Sequence, residues 1–203
     1  MTGGARSAAA AVLALTAAAS VPAGAQGEDF AARFAACLAC HGENGRSTTA
    51  LVPSLGGQPA FFAMTQLFLL RDGRRGEPVM IEQARSMTND DLRAFSAAIA
   101  GLPPPEPPAQ APDADRFERG RALATRHRCG VCHNPDFSGR EQMPRLANQR
   151  EDYLLKSMRE FASGRRIGYG AAMTQELAGL ADEALADLAH FLAHFPDRRR
   201  IPQ

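Results

Sequence analysis

The chain has 203 residues, and its 23 Lys and Arg side chains are nearly matched by 22 Asp and Glu. So even a balance lacks the basic excess that a nucleic-acid surface needs, which argues against nucleic acid as a partner. Past the N-terminus, no apolar run approaches the roughly 20 residues of a membrane span.

Residues 1–25 have the order of a secretory signal: a thin positive start at Arg6, an apolar run from Ala8 to Ala19, and the small-x-small pattern Ala23-Gly24-Ala25. Cleavage is expected before Gln26. The run is about a dozen residues, too short for an anchor that spans. Its removal takes away one Arg and leaves 22 basic against 22 acidic side chains.

A first helix is expected from about Asp29 into Cys40, ending in Cys37-Leu38-Ala39-Cys40-His41. Pro59 suits the first turn of a second helix, which Gly73 stops. Thr88, with Asp91 three residues on, can cap a last helix reaching Ala100, whose Leu92, Phe95 and Ile99 form a helical stripe. Six prolines between Pro103 and Pro112 cannot continue a helix and mark a linker.

Past the linker the pattern recurs. A helix is expected from about Asp115 to Arg128 before Cys129-Gly130-Val131-Cys132-His133, and another from about Glu151 to Ser163, stopping at Gly164. Cys37, Cys40 and His41 return 92 residues later as Cys129, Cys132 and His133. Pro53, Leu55 and Gln58 return after 91 as Pro144, Leu146 and Gln149; so do Phe62, Gly73, Arg74 and Arg75 as Tyr153, Gly164, Arg165 and Arg166. Met80, Leu92, Phe95 and Ile99 return after 93 as Met173, Leu185, Leu188 and Leu192. One domain has been duplicated. The fold class is therefore all-α, divided into a signal (residues 1–25), an N-terminal domain (26–102), a linker (103–112) and a C-terminal domain (113–203). Domains of about 75 to 90 residues have marginal peptide cores, and a buried cofactor would add apolar mass.

Four cysteines in an exported chain ordinarily suggest two disulfides, but here all four fall in C-x-x-C-H units. Two thiols three residues apart on a helical turn can each add to a vinyl group of one haem, while the next His reaches the iron. The pattern points to two covalently bound c-type haems, on Cys37 and Cys40 with His41, and on Cys129 and Cys132 with His133. A thioredoxin-like dithiol would need a strand-helix-strand setting, and a zinc site would leave the paired methionines unexplained.

Symmetry singles out the sixth ligand. Met64, Met87 and Met158 align with Leu155, Leu180 and Leu67, and Met143 has no Met partner; only Met80 and Met173 are Met in both copies. Both are expected in loops between helices, facing iron opposite the histidine, although a loop Met can also be a gap-filler. The remaining histidines, His127, His190 and His194, lie only in the second half. His127 stands on the wrong side of Cys129. His190 and His194 are spaced i, i+4 with no third ligand in view and are expected at the surface. Pro53 and Pro144 are expected to offer the carbonyl that accepts the imidazole N–H. Arg74, Arg75, Arg165 and Arg166 suit haem propionates or plain solvent, and Arg198 to Arg200 suit a solvated tail.

On the paired C-x-x-C-H motifs, on Pro53-Ser54-Leu55-Gly56-Gly57-Gln58 and Pro144-Arg145-Leu146-Ala147-Asn148-Gln149, and on the Gly-x-Arg turns followed by Met, the chain resembles the cytochrome c(4) family. These are dihaem cytochromes of the bacterial periplasm, each a tandem pair of class I cytochrome c domains. The resemblance implies ligation by His41 with Met80 and by His133 with Met173. It also implies a periplasmic electron carrier whose partners are redox proteins, a terminal oxidase among them. The first motif continues as Gly42-Glu43-Asn44-Gly45, but the second continues as Asn134-Pro135-Asp136 without the family's glycine. A dihaem peroxidase or thiosulfate dehydrogenase would need an exchangeable iron site or an unusual ligand, and both copies keep a Met with no cysteine to spare. A third reading is a cytochrome subunit of a dehydrogenase complex.

Overall fold

A computed structural model describes residues 1, 23–166 and 171–196. Most of the expected signal and the Arg198 to Arg200 tail lie outside the described residues. Among those described there is no strand, only one isolated bridge between Arg140 and Met143. No described helix is long and apolar enough to cross a membrane.

In the first half, α1 (Ala23–His41) carries the first C-x-x-C-H, followed by α2 (Ala60–Arg71), α3 (Pro78–Ala84) and α4 (Asn89–Gly101). The α1 helix begins earlier than its sequence signal at Asp29. Pro59 stands just ahead of α2 as its cap. The α4 start is as expected: the Thr88 hydroxyl accepts from the Asp91 N–H, and the Asp91 carboxylate accepts from the Thr88 N–H at 2.8 Å. Arg33 on α1 then reaches Asp91 at 2.7 Å, and Phe30 and Phe34 pack on Phe95. Ion pair and rings together fix the crossing of α1 and α4. Leu67, Leu70, Leu92, Phe95 and Ile99 form the buried core of this half, each such side chain contributing about 1.5–3 kcal/mol.

The second half repeats the plan with α5 (Ala114–Arg126), α6 (Cys129–His133), α7 (Glu151–Ala162), α8 (Ala172–Leu177) and α9 (Asp182–Ala193). Its expected first helix is broken. Arg128 turns left-handed (φ 52°, ψ 33°), so the second motif occupies a separate short helix. Gly120 explains how α5 lies so close to α9, since a Cβ there would stand 2.1 Å from the Asp187 carbonyl. Phe117 packs edge-on to Phe191 beside it, with ring centres 5.1 Å apart.

The proline-rich segment is pinned at both ends. The Gly57 N–H donates to the Leu102 carbonyl at 3.0 Å, and a Cβ on Gly56 would strike the Pro103 carbonyl. At the far end, the Asp113 N–H donates to His190 Nε2 at 3.0 Å. The two halves also meet directly. Ser54 N–H donates to Gln149 Oε1 (2.7 Å) and Gln149 Nε2 donates back to the Ser54 carbonyl (2.8 Å). By the same rule, Arg145 N–H donates to Gln58 Oε1 and Gln58 Nε2 to the Arg145 carbonyl, both at 3.0 Å. Positions 54 and 145, like 58 and 149, are equivalent in the repeat, so the exchange is two-fold symmetric.

Candidate functional site

Each C-x-x-C-H ends a helix and delivers its histidine inward. His41 and His133 are 5% and 4% exposed. His41 Nδ1 lies 2.8 Å from the Pro53 carbonyl and His133 Nδ1 lies 2.9 Å from that of Pro144. A carbonyl only accepts, so Nδ1 is the protonated nitrogen and Nε2 carries the lone pair. Burial holds both rings below the usual histidine pKa, the carbonyl opposing it, and the rings are neutral at pH 7. The Nε2 atom of His133 is buried without a partner.

The thiols are placed unequally. Cys37 and Cys129 are partly buried against the two cores, while Cys40 and Cys132 are exposed. None of the four is joined in a disulfide, and burial raises the pKa of the Cys37 and Cys129 thiols.

Met80 and Met173 are not in loops. They sit in the short helices α3 and α8, of seven and six residues, the first opened by Pro78. Each is partly buried. Met80 packs on the same core as Cys37 and Leu55, and Met173 on the same core as Cys129 and Leu146. Three of the unpaired methionines adjoin the same two cores, Met64 and Met87 the first and Met158 the second. Met87 and Met158 are core residues. Met64 lines a surface cleft with Phe61 and Phe68. Met143 stands beside Cys132, next to the very proline that accepts from His133.

Asn134 takes the place of the family's glycine and keeps its backbone. Gly42 has φ 84°, ψ 158°, and Asn134 has φ 68°, ψ 154°. That region is all but reserved for glycine. The Asn134 side chain offsets the strain by donating from Nδ2 to both Ser138 Oγ and the Gly139 carbonyl, at 2.9 Å each. The chain therefore leaves both histidines in the same direction.

The arginine pairs divide by exposure. Arg74 and Arg165 are exposed, whereas Arg75 and Arg166 converge on Tyr153, at 2.7 and 3.4 Å from its hydroxyl. Burial would raise the Tyr153 pKa, but the two guanidinium charges outweigh it and lower it to about 8. The Arg75 Nε atom is buried without a partner. Arg166 also pairs with Glu160 at 3.2 Å, so Arg75, placed where the halves meet, is the member that suits a further carboxylate.

The expected surface position of His190 is wrong. It is buried, and a third group, Glu151, lies at 2.8 Å from its Nδ1. With Nε2 taken by the Asp113 N–H, both ring nitrogens are engaged, tying the linker's end to α7 and α9. Hydrogen bonds from His190 and Arg116 outweigh burial and keep Glu151 below the usual carboxylate range. His194 Nδ1 faces the His190 carbonyl. His127 has Glu176 at 4.0 Å.

The residues present fit a haem in each half: paired thiols on a helical turn, a neutral buried imidazole with Nε2 left over, and a cationic cluster. Sequence periodicity did not reveal the part played by Gln58 and Gln149 across the interface; their only signal was recurrence at the same spacing.

Comparison with known proteins agrees. Residues 117–196 match the Cytochrome c family model. A cytochrome c4 of Pseudomonas aeruginosa is 28% identical over 171 residues, covering 79% of this chain and 84% of that one. A protein of Thiomonas intermedia named thiosulfate dehydrogenase electron acceptor is 28% identical over 172 residues, covering 80% and 79%. Cytochrome c-554(548) of Halomonas halodenitrificans is 30% identical over 76 residues, 36% of this chain and 88% of that one. The solved structure of cytochrome c4 from Acidithiobacillus ferrooxidans superposes with a TM-score of 0.70 at 26% identity, covering 79% of this chain and 98% of that one.

Proposed function

Because the chain belongs to the cytochrome c family, as a dihaem protein of the cytochrome c4 type with two covalently bound c-type haems, we propose that it is a periplasmic carrier that takes electrons from a redox enzyme and passes them to a terminal oxidase. Electron transfer by a dihaem c-type cytochrome is common to the group; the donor, the acceptor and the compartment are our reading. One haem is carried by Cys37 and Cys40 with His41 and Met80 on its iron, and the other by Cys129 and Cys132 with His133 and Met173.

A haem held by His and Met accepts or gives one electron without changing its ligands. The protein's own groups suit that use. The Pro53 and Pro144 carbonyls fix the ring tautomer that presents Nε2. Burial of both rings keeps them neutral as ligands. Arg75, gathered on Tyr153 beside an Arg166 that is itself paired with Glu160 at 3.2 Å, supplies positive charge for a propionate. The methionines close the sixth positions to substrates, which favours a carrier over a peroxidase or a thiosulfate dehydrogenase.

The single observation that carries this reading is the buried, neutral His of each C-x-x-C-H with Nδ1 committed to a proline carbonyl. A specific donor is suggested by the Thiomonas relative, whose name makes it the electron acceptor of a thiosulfate dehydrogenase. The test uses the reduced holoprotein. It should bind carbon monoxide poorly, turn over peroxide or thiosulfate at background rate, and exchange electrons rapidly with a small redox protein or an electrode. Stoichiometric carbon monoxide binding at one haem of the unmodified protein would overturn the carrier assignment in favour of an enzyme.

A further inference from the structure

The acceptor of each ligating histidine is one end of a peptide unit whose other end is held by the opposite half. Pro53 C=O and Ser54 N–H belong to the same amide. His41 Nδ1 donates to that oxygen at 2.8 Å, and the N–H donates to Gln149 Oε1 at 2.7 Å. Pro144 C=O and Arg145 N–H form the equivalent amide, which receives His133 Nδ1 at 2.9 Å and donates to Gln58 Oε1 at 3.0 Å. Resting on the reading of His41 and His133 as iron ligands, we propose that Gln58 and Gln149 are positioning residues that set, across the interface, the reduction potential of the haem in the opposite half.

The carboxamide orientation is fixed by what surrounds it. Ser54 N–H and Arg145 N–H can only donate, and the carbonyls of the same two residues can only accept. Oxygen must face the first and nitrogen the second, as observed. An amide whose N–H is hydrogen-bonded carries more electron density on its oxygen, because bonds in a chain polarise one another. That oxygen pulls harder on the histidine Nδ1–H, which makes the ring more imidazolate-like and a more basic ligand. A more basic ligand favours ferric iron and lowers the potential. Gln58, Gln149 and Ser54 are all buried, so little water competes with the chain.

The two arms are unequal. Gln149 Oε1 also accepts from the Arg150 N–H at 3.0 Å, which divides its acceptor strength. The residue after Gln58 is Pro59, which has no N–H to offer. The undivided acceptor is Gln58, over the second haem, while the shorter bond to the amide, 2.7 against 3.0 Å, is that of Gln149, over the first.

The experiment compares parent holoprotein with Gln58→Leu and Gln149→Leu, reading each haem's potential from its assigned haem-methyl resonances during a redox titration. The Nδ1 proton resonances of His41 and His133 are followed in the reduced state. Gln58→Leu should favour reduction of the second haem by about threefold to tenfold, roughly 30–60 mV at 59 mV per tenfold for one electron, with the first haem unmoved and only the His133 proton displaced. Gln149→Leu should likewise raise the first haem's potential and displace only the His41 proton. Gln58→Glu and Gln149→Glu keep the acceptor for the amide N–H while losing the donor to the facing carbonyl, and should hold the potentials at parent values or below. A shift at the haem of the substituted half, equal shifts at both, or unmoved potentials and Nδ1 protons would overturn the proposal. His133→Ala separates this from the ligand assignment. If it keeps the parent's six-coordinate spectrum, the ligand reading fails; if it loses that spectrum while Gln58→Leu moves nothing, only the glutamine role fails.

Discussion

Asn134 gives the sharpest test of how this sequence departs from its relatives. A non-glycine residue at φ 68°, ψ 154° stores roughly 1–3 kcal/mol of backbone strain. Its side chain makes two hydrogen bonds at 2.9 Å, each worth about 0.5–1.5 kcal/mol net. Asn134→Ala keeps the strain and loses the bonds, so the second half should be destabilised by about 1–3 kcal/mol. Asn134→Gly loses the same bonds and also relieves the strain, and should be close to neutral. The difference between the two variants isolates the strain. The mirror substitution, Gly42→Asn, should be far worse, since a Cβ there would stand 1.9 Å from the Arg46 carbonyl. Denaturant unfolding of the holoprotein, followed through the weak red band of sulfur-ligated ferric haem, would report it. Equal stabilities for Asn134→Ala and Asn134→Gly would refute the claim that the backbone here is strained.

Other substitutions test the remaining parts. Met80→Ala and Met173→Ala should each open one iron and create carbon monoxide binding at a single haem, while Met80→His should lower one potential and leave the other; Met64, Met87 and Met143 substitutions should do neither. The Arg33 ion pair, then the Thr88 N–H, bring the Asp91 pKa down to about 2 against an ordinary 3.8. Its folded pKa lies below its unfolded one, so its contribution of ~1 kcal/mol, screened by solvent, is present above pH 4 and lost as pH falls towards 2. Acid unfolding of Asp91→Asn should lack that step. Gly120→Ala should cost about 1–3 kcal/mol by thermal unfolding, because it presses on backbone rather than on a flexible side chain. Gly101→Ala, with open space around it, should be neutral.

The features legible in the sequence were those with a local cause. Thr88 and Asp91 cap α4 because a capping box needs only residues three apart. Gly73 and Gly164 stop their helices at φ 65° and 70°, a conformation glycine adopts without strain. Proline carbonyls meet the two histidines because the motif spacing repeats. The short helices around Met80 and Met173 were not legible, since fewer than two turns of helix are too brief to establish a period. The break at Arg128 was equally hidden, because the apolar pattern before the second motif gives no sign that its last residue turns left-handed.

His190 is buried by partners that lie far from it in sequence. Two histidines spaced i, i+4 near a helix end fit the surface as well as the interior, and their partners come from afar: Glu151 on α7 and the Asp113 amide at the end of the linker. The same distance in sequence hides the glutamine exchange, in which residues 87 and 95 positions apart share four hydrogen bonds. Duplication lets it be argued backwards. Gln58 and Gln149 occupy equivalent places, and both are buried. A buried carboxamide needs donors and acceptors, and in each half the histidine takes only the proline carbonyl, leaving the N–H and C=O of Ser54 and Arg145 for the opposite glutamine. The one group that meets the need of both copies at once is the other copy's amide, and a symmetric exchange is the arrangement that satisfies every member.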